Sequence, residues 1–215
     1  MGDRELEADI LDQLDFEPSI DALGIRAAVD DAVVTLAGHV ATFADKWTMI
    51  EIVESIKGVR AIVDEITVLP AGAHVTADDE IARRAADSLN WNTSVPGDRI
   101  RVTVRNGDVT LEGVVEWRYQ SDAAFGVVRG LAGVTGVNNR IRINPAVHPL
   151  DVSERIRRAF MRDAELDATG IRVEVDGGTV TLEGKVRHLA ERRTAERAAW
   201  AVPGVTEVVD RLAVR

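Results

Sequence analysis

Val180-Thr181-Leu182-Glu183-Gly184 is the third copy of a phrase that the chain already contains twice. The earlier copies are Val34-Thr35-Leu36-Ala37-Gly38 and Val109-Thr110-Leu111-Glu112-Gly113. A Gly-Val pair follows each copy, and its glycine (Gly58, Gly133 or Gly204) lies 20 residues after the last glycine of the phrase. A repeat of this length predicts that the 215 residues form three copies of one structural unit.

Each phrase is predicted to be the second strand of a hairpin. The stretches that begin at Ile25, Ile100 and Ile171 alternate apolar and other residues with the period of two expected of a half-buried strand. Asn106-Gly107 and Gly177-Gly178 then favour tight turns with positive backbone angles. We expect the last glycine of each phrase to mark a bulge or a close approach of two backbones.

Apolar residues upstream of each hairpin recur at helical spacing. They are Leu6, Ile10 and Leu14, then Ile81, Ala85 and Leu89, then Val152, Ile156 and Phe160. This spacing predicts helices that each lay one apolar stripe on the sheet. Helix starts are expected at Asp3, at Thr76 with Asp79, and at Asp151 with Glu154.

Second helices are predicted near 43–57, 118–132 and 189–203, where a recurring Gly suits a helix stop. The alternating stretch after each one is a third strand, parallel to the second because a helix joins the two. The predicted fold is α+β: three tandem αββαβ modules, each a three-stranded mixed sheet covered on one face by two helices. Their boundaries are placed at 1–70, 71–146 and 147–215, and packing between such small units is expected.

Charge is spread unevenly over the three units. Residues 1–70 hold 5 basic and 15 acidic side chains, whereas 71–146 hold 9 of each and 147–215 hold 12 of each. The whole excess behind the net charge of −10 therefore lies in the first unit. An acidic unit is repelled by phosphate backbones, so we predict no nucleic-acid binding.

The sequence contains none of the motifs that are typical of an active site. There is no cysteine, and the histidines His39, His74, His148 and His188 have no metal-binding spacing. No P-loop, Rossmann or Gly-x-Ser-x-Gly motif occurs. We therefore expect no enzyme, no catalytic residues, no metal and no cofactor.

The N-terminus has neither the basic nor the apolar region of a secretory signal, and no run of about 18 apolar residues suggests a membrane span. These features predict a cytoplasmic protein, or a periplasmic one if a leader peptide had been removed.

The phrase Val-Thr-Leu-x-Gly-x-Val, followed after about 20 residues by Gly-Val and an alternating strand, resembles the BON domain family of bacterial osmotically inducible and nodulation-type proteins. The resemblance covers nearly the whole chain in three copies. It implies the αββαβ fold and a non-catalytic, stress-associated role in binding phospholipid or stabilising the cell envelope. We interpret the motif glycines as structural residues: Gly38, Gly113, Gly184, Gly58, Gly133 and Gly204.

One predicted helix offers a lipid contact. Arg155, Arg158 and Arg162 share a face at i, i+3 and i+7, from which Phe160 or Met161 would reach the acyl boundary. The alternative is that Phe160 is a core residue and that these arginines are solvated or paired with acids.

Aromatic and basic residues outside the shared core give two weaker signals. Trp47, Trp91, Trp117 and Trp200 either line surfaces between units or pack locally. Arg26, Arg101 and Arg172 recur in the first strand, where solvation of the open sheet face is expected.

Two functions are compatible with these features. The first is a binding protein for anionic phospholipid head groups on a membrane surface. The second is a protein-interaction scaffold whose acidic first unit docks a basic partner. The sequence leaves the oligomeric state and the arrangement of the units open.

Overall fold

The computed structural model describes residues 2–70, 77–144 and 170–214. The first unit consists of α1 (Asp3–Phe16), β1 (Arg26–Asp30), β2 (Val33–Val40), α2 (Phe43–Ser55) and β3 (Ala61–Val68). The second consists of α3 (Asp78–Trp91), a 3-10 turn (Gly97–Arg99), β4 (Ile100–Arg105), β5 (Asp108–Val115), α4 (Arg118–Arg129) and β6 (Gly136–Ile143). In the third, the described elements are β7 (Ile171–Asp176), β8 (Thr179–Val186), α5 (Leu189–Trp200) and β9 (Glu207–Val214).

The three sheets have one topology. The strand that contains the repeated Val-Thr-Leu-x-Gly sequence is central in each sheet, in the orders β1-β2-β3, β4-β5-β6 and β7-β8-β9. It pairs antiparallel with the strand before it and parallel with the strand after the second helix. The predicted α+β architecture of three mixed-sheet modules is therefore confirmed.

Each unit has its own hydrophobic core between its sheet and its described helices, which in the third unit means α5 alone. The predicted stripe of α1 is buried, since Leu6, Ile10 and Leu14 are at most 2% exposed. The stripe of α3 is buried in the same way. The third predicted stripe, at Val152, Ile156 and Phe160, lies outside the described residues.

The last glycine of each phrase sits where two backbones approach closely. A Cβ added to Gly38 would lie 2.5 Å from the carbonyl oxygen of Gly24, and one added to Gly113 would lie 2.2 Å from that of Arg99. The same contact at Gly184 would be 2.1 Å. Only glycine fits at a separation this short.

The Gly-Val glycines do not end the second helices, so that expectation was wrong. The helices end at Ser55, Arg129 and Trp200, several residues earlier. Gly58 instead has a φ of 105° in a turn where the Val59 amide donates to the Ile56 carbonyl oxygen at 3.4 Å. A type II turn requires a positive φ at this position, which explains the glycine.

α1 begins at Asp3, as expected, whereas the start of α3 differs from expectation, and the expected start at Asp151 lies outside the described residues. α3 begins at Asp78 with Ala77 as N-cap and no side-chain cap, and Thr76 lies outside the described residues. Asp78 instead accepts hydrogen bonds from the amides of Asn106 and Gly107, at 2.8 and 2.9 Å. Asp3 binds the β1–β2 turn in the same manner. These carboxylates fix α1 and α3 to the hairpins of their units.

Within the described residues, no helix combines the length and the apolar character needed to cross a bilayer.

Candidate functional site

The second helices of all three units, α2, α4 and α5, meet at one place. Phe43 of α2 is 8% exposed and belongs to the core of the second unit. Trp47 of α2 packs edge to face on Phe125 of α4, with ring centroids 4.6 Å apart. The expected packing between units is thus present, and the contact between α2 and α4 is aromatic.

The contact between α2 and α5 is built from charges. Arg193 of α5 forms ion pairs with Glu54 and with Glu51, the latter at 3.7 Å. Arg129 of α4 reaches the same Glu51 at 3.4 Å. Beside these pairs, the Leu189 amide donates to the Val59 carbonyl oxygen at 3.0 Å. Acids of the first unit therefore neutralise arginines of the other two.

A cation–π contact joins the second and third units. The Arg118 guanidinium lies 4.7 Å from the centroid of the Trp200 ring. Its Nε also donates to Asp122 at 2.7 Å. The stacked arginine holds α4 beside α5 while keeping its charge near solvent.

A cleft of about 800 Å³ remains open among the three helices. Five of the chain's nine aromatic residues line its described part: Trp47, Trp117, Tyr119, Phe125 and Trp200. Four arginines and three carboxylates also line it: Arg118, Arg129, Arg193, Arg197, Glu51, Asp122 and Glu196. The cleft thus combines aromatic walls with a positive excess, although the chain as a whole is acidic.

Two carboxyl groups at this junction have raised pKa values. Burial raises the pKa of Glu54, neighbouring Glu51 adds to the rise, and Arg193 opposes it. Burial also raises the pKa of Glu196, helped by hydrogen bonding to Asp210 and by its charge. A half-buried carboxyl next to another acid holds its proton more tightly than one in water.

The open sheet faces, which no described helix covers, differ in charge between units. That of the second unit carries Arg101, Arg105, Arg140 and Arg142, all exposed, against the acids Asp108 and Glu112. Only Arg140 forms an ion pair among the described residues, a weak one at 3.9 Å to Glu112. The open face of the third unit carries three basic and four acidic residues: Arg172, Lys185, Arg211, Glu174, Asp176, Glu183 and Glu207.

The predicted lipid-contact residues Arg155, Arg158, Met161 and Arg162 lie outside the described residues. Of the four tryptophans, Trp47, Trp117 and Trp200 line the cleft between units. Trp91 does not, and it is 86% exposed. Arg26, Arg101 and Arg172 are all exposed, as expected for a solvated sheet face.

Three lining residues of the cleft were not predicted from the sequence: Arg118, Arg197 and Tyr119. These positions carry Phe43, Glu51 and Ala44 in the first copy, so no repeat signal marks them. Their only sequence signal is that the residue type at these positions differs between the copies, although the helices themselves align in register. Among the described residues, no group of three or more His, Cys, Asp or Glu side chains is placed to hold a metal ion.

Three small domains of one topology in tandem, joined through their second helices, define the class of protein. The BON domain pattern matches residues 2–70, 77–145 and 150–215, so the chain belongs to the BON domain family.

Three relatives share this similarity. The chain is 26% identical to osmotically-inducible protein Y of Escherichia coli strain K12 over 66% of the chain and 73% of that protein. It is 29% identical to a 21 kDa hemolysin of Actinobacillus pleuropneumoniae, over 65% of the chain and 76% of the relative. It is 22% identical to the outer membrane lipoprotein DolP of Haemophilus influenzae, over 73% and 85%.

Proposed function

We propose that this chain is a non-catalytic protein that docks on anionic phospholipid surfaces, with the open sheet face of the second unit as the contact. The observation that carries the proposal is the excess of exposed arginine on this face. Arg101, Arg105 and Arg142 form no ion pair with any described residue. Their guanidinium groups are available to phosphate oxygens, with which arginine forms bidentate hydrogen bonds.

The packing of the units supports the same face. The second helices make the contacts between units, and no described helix covers the opposite side of the second sheet, where these arginines are exposed. A basic residue near an anionic membrane surface contributes about 1 kcal/mol, and the attraction decays within a Debye length. Four arginines opposed by two acids therefore give weak, salt-sensitive docking.

The names of two relatives support a role at the cell envelope under stress. One is called an outer membrane lipoprotein and another is called osmotically inducible. By this analogy we propose an envelope compartment for the chain in place of the cytoplasmic location expected from its N-terminus.

The predicted helix with Arg155, Arg158, Arg162 and Met161 is a second candidate contact for the same function. Vesicle co-sedimentation separates the two. Wild type should sediment with phosphatidylcholine vesicles that contain phosphatidylglycerol and not with phosphatidylcholine alone. The R101Q/R105Q/R142Q variant should lose most of this binding, and R155Q/R158Q/R162Q tests the helix in parallel.

The matched control is R172Q/K185Q/R211Q, which removes the same number of positive charges from the more acidic open face of the third unit. It should bind vesicles as wild type does. If all three variants bind vesicles as well as wild type does, neither proposed contact site is used. Binding that does not depend on phosphatidylglycerol would contradict the proposed function itself.

A protein partner is the second candidate function, favoured by α1. Glu5, Asp9, Asp12 and Asp15 are exposed there and form no ion pair within the described parts of the chain. A basic protein bound by this surface should be released by salt and by the E5Q/D9N/D12N/D15N variant, while vesicle binding stays unchanged.

A further inference from the structure

Some side chains that line the cleft among α2, α4 and α5 are not engaged in contacts between units. Trp47 and Phe125 pack edge to face on each other, so their rings belong to the contact between the first and second units. Trp117 and Tyr119 are 37% and 59% exposed, and neither has an aromatic partner among the described residues. Two exposed aromatic side chains in a concave site offer a large contact area at low entropic cost.

The arginines of the cleft differ in the same way. Arg129 and Arg193 are paired with acids of α2, and Arg118 is held by Asp122 and Trp200. Arg197 is exposed, and the one hydrogen bond of its side chain in the described structure runs from Nη2 to Thr194 Oγ1 at 3.3 Å. No described carboxylate pairs with it, and a guanidinium has five N–H donors.

We propose that this cleft binds an amphiphilic anion, with the anionic group on Arg197 and the apolar part against Trp117 and Tyr119. The volume of about 800 Å³ is in the range of sites for small molecules. A fatty acid or a lysophospholipid has the required chemistry, an anionic head on an aliphatic chain. This site lies on different elements from the sheet face proposed for membrane docking, so each proposal stands or fails alone.

Calorimetric titration of the full-length chain tests the site with ligands below their micelle concentrations. Decanoate should bind, decanol should bind about tenfold more weakly, and inorganic phosphate should not bind detectably. The tenfold difference corresponds to roughly one charged hydrogen bond. Short-chain lysophosphatidylglycerol is the lipid arm: tighter binding than decanoate assigns a phosphodiester head and weaker binding a carboxylate, and either supports the site.

Two variants place the ligand. R197Q should weaken decanoate about tenfold and leave decanol unchanged, because it removes only the charged contact. W117A should weaken both ligands. R142Q, on the open sheet face, is the control and should bind decanoate as wild type does.

Unchanged melting curves confirm that the variants fold; Arg197 is exposed, so its replacement should not affect folding. Equal affinity of wild type for decanoate and decanol, or wild-type binding by R197Q and W117A, would overturn the proposal. A triple sheet-face variant that loses vesicle binding but keeps decanoate binding would show that the two sites are separate.

Discussion

Lys46 of α2 lies 2.8 Å from Asp64 of β3 and donates a second bond to the Ile66 carbonyl oxygen at 2.7 Å. The contact ties the second helix of the first unit to its third strand. The aligned residues of the second unit are Ser121 and Asn139, where the Asn139 amide donates to the Ser121 hydroxyl at 2.9 Å.

The third unit keeps the contact as an ion pair between Arg192 and Asp210. One helix-to-strand link is therefore present in three chemical forms. The geometry is shared by the copies, and the residue types are not.

Removing one partner of this link should destabilise the first unit. Lys46 is 19% exposed, so K46M leaves the partly buried carboxylate of Asp64 without its ion-pair partner. We expect the free energy of unfolding to fall by about 1–2 kcal/mol in urea denaturation. The K46S/D64N variant, which installs the pair of the second unit, should recover part of the loss. A loss from K46M no larger than that from R60Q, at a more exposed ion pair, would contradict this prediction.

The phrase glycine should not tolerate a side chain. In G113A, the new Cβ would lie 2.2 Å from the Arg99 carbonyl oxygen, so the hairpin must shift. We expect a loss of about 3 kcal/mol in unfolding free energy, or failure to fold.

The control is G126A, in the same unit. Gly126 lies in α4, and a Cβ there meets nothing within 4 Å. It should stabilise the chain by up to about 1 kcal/mol through helix propensity. Similar effects of the two substitutions would refute the close-approach explanation.

The raised pKa of Glu196 should appear in the pH dependence of stability. A carboxyl whose folded pKa lies above its unfolded value binds more protons in the folded state, so it costs stability as the pH rises through that window. As the pH falls from 7 to about 4.5, the ordinary pKa of a glutamate side chain, wild type should gain stability relative to E196Q. Urea titrations at several pH values measure the difference, and parallel curves for the two proteins would show that Glu196 titrates normally.

The ion pairs of Arg193 should hold the first and third units together. R193Q removes its contacts to Glu54 and Glu51, so the units should separate more readily. We expect a larger radius of gyration by small-angle scattering and faster proteolysis between the units. High salt should bring wild type toward the variant, because it screens the partly exposed pairs. An unchanged radius and unchanged cleavage would show that the aromatic contact between α2 and α4 suffices.

The sequence alone determined the element order, the sheet topology and the buried stripes, because each copy must bury the same positions of the same small core. Ile10 and Ile81 are fully buried for this reason, and the glycines of the phrase mark the tight approaches. The type II turn at Gly58 was missed because a positive φ in a turn and a helix stop both favour glycine.

Only the tertiary structure decided how the units meet. Trp47, Asp122 and Arg193 occupy one aligned position, yet they respectively pack on an aromatic ring, hold an arginine and pair with acids of another unit. Such contacts lie between residues that differ from copy to copy, so neither periodicity nor repetition records them. The cleft results from three helices converging in space, which depends on packing between units, whereas the sequence pattern reports the burial within each one.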